Sequence, residues 1–178
     1  MNHFIQSLTY FRIFIAPVIF ILLTLFDSYG WALILFFLAS ISDYWDGFLA
    51  RKYNLTSEIG EILDPIADKI LLVFLLISIS IVTSSLYVTF MSCILICREF
   101  WVAALRDFNS RKGNVTATKV TLIAKYKTTT QFAAIFIFLY SFYVQNALAE
   151  FVAYFVLLLS LILSIQSGLI YTINSIKK

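Results

Sequence analysis

Apolar runs long enough to cross a bilayer recur six times in this chain of 178 residues, at about 8–26, 31–51, 62–82, 86–106, 127–145 and 150–172. A membrane helix needs about 20 mainly apolar residues. The expected fold is therefore all-α, an integral membrane bundle of six transmembrane helices. The breaks between runs are short. Asp27-Ser28-Tyr29-Gly30 ends the first, Thr83-Ser84-Ser85 parts the third from the fourth, and Gln145-Asn146 with Glu150 parts the fifth from the sixth. Composition agrees: 61% of residues are hydrophobic and 13% charged, against roughly 45–50% and about 25% in a soluble domain. One bundle uses the whole length, so residues 1–178 read as a single domain. The first run is too long for a signal-peptide core and is followed by no small-residue cleavage site, so it is expected to be a retained span.

Charge placement orients the bundle. Arg51, Lys52, Arg106, Arg111, Lys112, Lys119, Lys125, Lys127, Lys177 and Lys178 all fall on one side of a six-span arrangement, and the opposite connections contain no Lys or Arg. The positive-inside rule makes the basic side cytoplasmic, and with it both termini. The cytoplasmic connections are too short to form a soluble domain, so any chemistry belongs at the membrane surface or within the bundle. Cys93 and Cys97 lie four apart in an apolar run with no further ligand nearby, and read as packed free thiols. His3 reads as interfacial rather than catalytic.

The chemistry is concentrated between residues 43 and 68. Asp43 and Asp46 are three apart, and Asp64 and Asp68 four apart. At about 3.6 residues per turn, each pair shares one helix face. A charge at membrane depth costs on the order of 2.5–3.5 kcal/mol, so four carboxylates at the cytoplasmic ends of two adjoining helices call for something to offset them. Arg51 and Lys69 offset part. A cluster of hard oxygen ligands suits Mg²⁺, Mn²⁺ or Ca²⁺, and the lack of Cys or His beside it argues against zinc. On spacing alone, an ion-pair network pinning the two helices together stays open. Gly47, Ala50 and Gly60 fall on or beside the carboxylate face and leave room there for a bulky group, although small residues also serve helix packing in membranes.

Together these residues form the pattern D-x2-D-G-x2-A-R-x8-G-x3-D-x3-D, running from Asp43 through Asp46, Gly47, Ala50, Arg51, Gly60 and Asp64 to Asp68. It resembles, at every fixed position, the signature of the CDP-alcohol phosphatidyltransferases, whose members also have about six membrane helices. The resemblance implies transfer of a phosphatidyl group from a CDP-linked lipid to an alcohol, with loss of CMP, assisted by Mg²⁺ or Mn²⁺, two ions in all. It implies Asp43, Asp46 and Asp64 as metal ligands and Asp68 as general base, in reach of a metal as well. Asp46, Gly47, Ala50 and Gly60 would line the cytidine side, and Arg51 would contact phosphate. Gln6-Ser7-Leu8-Thr9-Tyr10-Phe11-Arg12 is similar to the family's N-x-L-T-x-x-R opening with Gln6 in place of Asn, and it adds Thr9 and Arg12 to the site.

The acceptor has to be read elsewhere. Arg98, Arg106, Lys125 and Lys127 gather at the cytoplasmic end of the fourth and fifth runs, and such a cationic group suits an acceptor that carries its own phosphate. The ordinary positive-inside excess and attraction to anionic lipids account for Lys125 and Lys127 equally well. Arg98 lies two turns inside its run, where it can pair with Glu99 or with a motif carboxylate. The stretches Arg98 to Arg106 and Lys125 to Gln131, and the L-D-P-x-A-D-K form at Leu63 to Lys69, are similar to the subgroup that uses sn-glycerol 3-phosphate, although Ala124 stands where that subgroup commonly has Gly. The implied partners are CDP-diacylglycerol, glycerol 3-phosphate, membrane lipids and a second copy of the chain, in the inner (cytoplasmic) membrane, with the site facing the cytoplasm and no nucleic acid involved. Phosphatidylglycerol is the alternative acceptor. A cation transporter is the alternative of another class, but its carboxylates would be expected near the midplane on broken helices.

Overall fold

The computed structural model describes residues 2–53, 58–113 and 122–176, with side chains described from Ser7 onward except at 43–44, 46–59 and 61–62. All elements among the described residues are helices: α1 (Asn2–Thr24), α2 (Tyr29–Tyr53), α3 (Glu58–Thr83), α4 (Leu86–Arg111), α5 (Leu122–Val144) and α6 (Ala147–Ile176). They match the six apolar runs one for one. Several helices run on past the apolar stretch that announces them, for example α4 to Arg111 rather than to about 106. Helical hydrogen bonding does not stop where the lipid would stop, so hydropathy marks the span rather than the helix.

The three short connections fall on the expected breaks, and each is turned by a non-glycine residue at positive φ: Asp27 (48°), Ser84 (48°) and Gln145 (52°). A left-handed residue just past a helix lets the next backbone N–H groups reach back to the final carbonyls. At the last connection the Asn146 N–H bonds to Ser141 O at 3.1 Å. The Asn146 side chain then caps α6, accepting from the N–H groups of Leu148 (2.9 Å) and Ala149 (3.3 Å). That cap satisfies two of the donors left open at a helix start.

The helices close into a ring. α1 packs on α2 and α3, α2 on α5, α5 on α6, α6 on α4 and α4 on α3, while α3 and α5 also meet across the middle. On α1 the buried positions are Thr9, Arg12, Ile15, Ala16, Ile19 and Leu23, a stripe at helical spacing that meets Leu71, Leu75, Leu76 and Ile79 of α3 within one apolar core. The outer surface is apolar as well: Phe14, Trp31, Phe90, Phe151 and Phe155 are each exposed by 66% or more. This is the inverse of a soluble protein's surface and fits a bundle solvated by lipid. Three buried hydroxyls, those of Ser42, Ser78 and Ser141, turn back onto their own helix, Ser78 onto Phe74 O at 2.7 Å, and so need no partner from lipid.

Four stretches are long and apolar enough to cross a membrane by length and composition: Ser7–Thr24, Leu63–Thr83, Leu86–Arg111 and Ala147–Ile176. In α2 the described apolar part is the shorter Tyr29–Ser42, and the carboxylate motif follows it in sequence. α5 opens on Lys125, Lys127 and three threonines before its apolar part begins. The two helices that fall short are thus ones whose ends carry polar functional candidates. One expectation is corrected. Cys93 and Cys97 are free thiols, but both are exposed. The inward face of α4 is set by Val88, Met91, Ser92, Leu95 and Val102, and positions 93 and 97 lie off it.

Candidate active site

Asp64 and Asp68 stand one turn apart near the start of α3, on the face that meets α1. α1 answers with Thr9 and Arg12. The Thr9 hydroxyl donates to Asp64 Oδ1 at 2.6 Å. Arg12 Nη1 donates to Asp68 Oδ1, and its Nη2 lies 3.7 Å from Asp64 Oδ1. The two ends of this contact are solvated very differently. The Arg12 side chain is 1% exposed, whereas those of Asp64 and Asp68 are 42% and 47% exposed. A dry guanidinium therefore backs a carboxylate pair whose other side is open. Both contacts described for Asp64 fall on Oδ1.

A second cluster joins α4 to α5 and α6. Glu99 Oε1 accepts from Lys127 Nζ and from Arg98 Nη1, the latter at 3.0 Å. The rest of Arg98 is committed to α6: Nε donates to Ser164 O and Nη2 to Ser167 Oγ, both at 2.8 Å. Gly168 packs beside it, at a distance where a Cβ would make an ordinary van der Waals contact of 3.4 Å with Arg98 Cγ. Of the two partners left open for Arg98 by its sequence position, the structure thus shows Glu99, and it turns the rest of the guanidinium toward α6.

Between the two clusters lies a cavity of about 260 Å³, whose lining includes Asp68, Lys69, Glu99, Arg106, Lys127 and Gln131. It brings Asp68 together with Arg106 and Lys127, which are separated from it by 38 and 59 positions of sequence. Asp68 is already matched by Arg12 and Glu99 by Arg98, so Lys69, Arg106 and Lys127 leave the cavity net cationic. Lys125 is exposed on α5. The side chains of Asp43, Asp46, Gly47, Ala50, Arg51 and His3 lie outside the described residues. Among the described residues no group of three metal-ligating side chains occurs.

Two members of this arrangement were not legible as such. Glu99 bridges the cations of two helices, and its only sequence signal is a lone acid in an apolar run. Gln131 follows Lys127 by one turn on the inner face of α5 and is 1% exposed. Thr9 and Arg12 were legible as members, but their partners were not.

Residues 3–166 match the family described as CDP-alcohol phosphatidyltransferase, and the chain belongs to that family. It is similar to proteins named CDP-diacylglycerol–glycerol-3-phosphate 3-phosphatidyltransferase. It is 41% identical over 131 residues to the one from Wigglesworthia glossinidia brevipalpis, covering 72% of each chain. The figure is 34% over 132 residues for Salmonella choleraesuis, covering 72% of this chain and 71% of the relative. For Shigella flexneri serotype 5b it is 32% over 168 residues, covering 92% and 90%.

Proposed function

We propose that this enzyme transfers the phosphatidyl group of CDP-diacylglycerol to sn-glycerol 3-phosphate, forming phosphatidylglycerophosphate and CMP. The observation that carries the reading is the cavity that joins Asp68 to Arg106 and Lys127. A carboxylate for the attacking hydroxyl and two cations for a remote phosphate are what a small phosphorylated alcohol requires. The relatives named above carry the same acceptor in their names.

The residues of this chain divide the work as follows. Arg106 and Lys127 hold the acceptor phosphate and so bring its free primary hydroxyl toward Asp68. Asp68 takes the proton of that hydroxyl as its oxygen attacks the phosphorus bearing the diacylglycerol. The bond from that phosphorus to CMP breaks, and CMP leaves with its electron pair. Positioned general-base catalysis supplies about 10²–10⁴-fold in rate. Arg12 holds the base by one oxygen from the dry side.

The donor set fits a divalent metal. Asp64 offers a hard oxygen ligand that is over a third exposed, with Oδ2 unengaged among the described residues. Asp43 and Asp46 complete the set by sequence. Asp43, Asp46 and Asp64, with Asp68 at the margin, would hold two Mg²⁺ or Mn²⁺ ions. When bound, the metals supply charge neutralisation at the pyrophosphate and orient it for in-line displacement. Thr9, Asp46, Gly47, Ala50, Arg51 and Gly60 form the CDP-lipid side. Residues 1–178 act as one domain, with both termini and the site on the cytoplasmic side of the inner membrane, as the basic connections argue. Family resemblance makes the working unit a homodimer, which cross-linking in intact membranes would test.

The deciding experiment uses purified protein, CDP-diacylglycerol and either acceptor. Product from glycerol 3-phosphate, with intersecting double-reciprocal lines, is expected. Product from phosphatidylglycerol alone would transfer the assignment to a cardiolipin synthase. Release of CMP before any acceptor is added would replace general-base catalysis by a covalent route.

A further inference from the structure

Gln131 is a buried, polar cavity-lining group whose chemistry the reaction above leaves unused. It sits one turn beyond Lys127 on the inward face of α5, deeper in the bundle, and is 1% exposed. Its Nε2 is buried and finds no hydrogen-bond partner among the described residues. A buried donor left unsatisfied costs about 1–3 kcal/mol, and such groups are uncommon in folded proteins. Gln131 lines the same cavity as Asp68, Arg106 and Lys127. It is therefore an unsatisfied donor placed where the acceptor would lie.

We propose that the Gln131 side-chain amide is a specificity determinant, donating a hydrogen bond to the secondary hydroxyl oxygen of the bound glycerol 3-phosphate. The proposal rests on the acceptor reading above and adds to it. The assignment follows from charge. The acceptor offers a dianionic phosphate, a primary hydroxyl and a secondary hydroxyl. Arg106 and Lys127, at the cytoplasmic end, match the phosphate, and Asp68 matches the primary hydroxyl. What remains is a neutral hydroxyl, and Gln131 is a neutral donor at a depth where a charge would be costly. A site built to bond a hydroxyl discriminates against the analogue lacking it, because the analogue leaves the buried donor unpaired.

The test compares glycerol 3-phosphate with 3-hydroxypropyl phosphate, which keeps the phosphate and the primary hydroxyl and lacks the secondary one. The wild-type enzyme is expected to favour glycerol 3-phosphate in kcat/KM by at least about tenfold. Gln131→Met, close in shape but without the donor, should reduce that preference to within about twofold. In the absence of acceptor it should melt at the same temperature as wild type or higher, since it removes an unsatisfied group. Equal use of both alcohols by the wild type would overturn the proposal even if the variant failed to fold. So would an undiminished preference in the variant, or a sharply lower melting temperature, which would show that the amide is already partnered in the fold. A wild type that makes product from phosphatidylglycerol but from neither phosphorylated alcohol would instead overturn the acceptor reading beneath it.

Discussion

Arg12 is the side chain whose removal should be felt most widely. It lies within α1, near the start of the apolar run that opens at about residue 8, and it is fully buried. Its charge is tolerated there because Asp68 and Asp64 face it. Removing one partner of a buried ion pair costs about 3–5 kcal/mol when the other is left dry. Here the carboxylates are 42% and 47% exposed and regain water once Arg12 is gone, which reduces the loss to about 2–3 kcal/mol. Arg12→Met should therefore lower the denaturation free energy in micelles by that amount. Asp68→Asn measured in the same cycle isolates the contact itself, with an expected coupling of about 1.5–3 kcal/mol, the range of a charge-assisted hydrogen bond. Arg12→Lys should recover only part of the loss, since an ammonium lacks the fork that reaches both aspartates. Single-mutant effects that add within about 0.5 kcal/mol would refute the reasoning, because Arg12 would then be stabilising the protein without Asp68.

Other substitutions probe separate parts of the site. Asp43→Asn, Asp46→Asn and Asp64→Asn should each abolish activity and weaken Mn²⁺ binding, read by turnover and by metal titration; full activity in any of the three at ordinary metal concentration would remove that residue from the ligand set. Arg106→Gln and Lys127→Met should raise KM for glycerol 3-phosphate while leaving KM for CDP-diacylglycerol nearly unchanged, and equal changes in both would show that these cations do not recognise the acceptor. Asn146→Ala, far from the site, should cost about 1 kcal/mol of stability through loss of the α6 cap. Gln145→Gly should be neutral or mildly stabilising, because the residue already sits at φ 52° where glycine carries no Cβ penalty.

Periodicity and hydropathy were enough to read six helices and their breaks, because each break needs residues that can leave the helix and each run needs lipid or core on every side. The motif was legible for a similar reason: eight fixed positions within 26 residues leave few chemistries that use them all. What sequence does not encode locally is which distant groups meet. The Arg12–Asp68 pair spans 56 positions and the Lys127–Glu99 pair 28. Both depend on helices becoming neighbours only when the ring closes. Arg98 makes the same point. Its place in an apolar run signals that the charge must be matched, but only the packing of α4 on α6 shows that the backbone carbonyl of Ser164 and the hydroxyl of Ser167 help to match it.

The charges in the two clusters are arranged so that fixed cations lie behind the reacting groups. Arg12 is dry and holds Asp68 from the α1 side. Arg98 is held by α6 and steadies Glu99, which in turn accepts from Lys127. Each of these arginines thus fixes a carboxylate, and both carboxylates line one cavity between α3, α4 and α5. For a reaction between two anionic substrates, this placement pairs each carboxylate with an arginine and leaves Lys69, Arg106 and Lys127 as the cations that an incoming phosphate would meet. The scheme has a cost that locates it in the fold. Charges of this kind are tolerated only where helices meet and where the end of the bundle gives access to water, and here α3 contacts both α1 and α5.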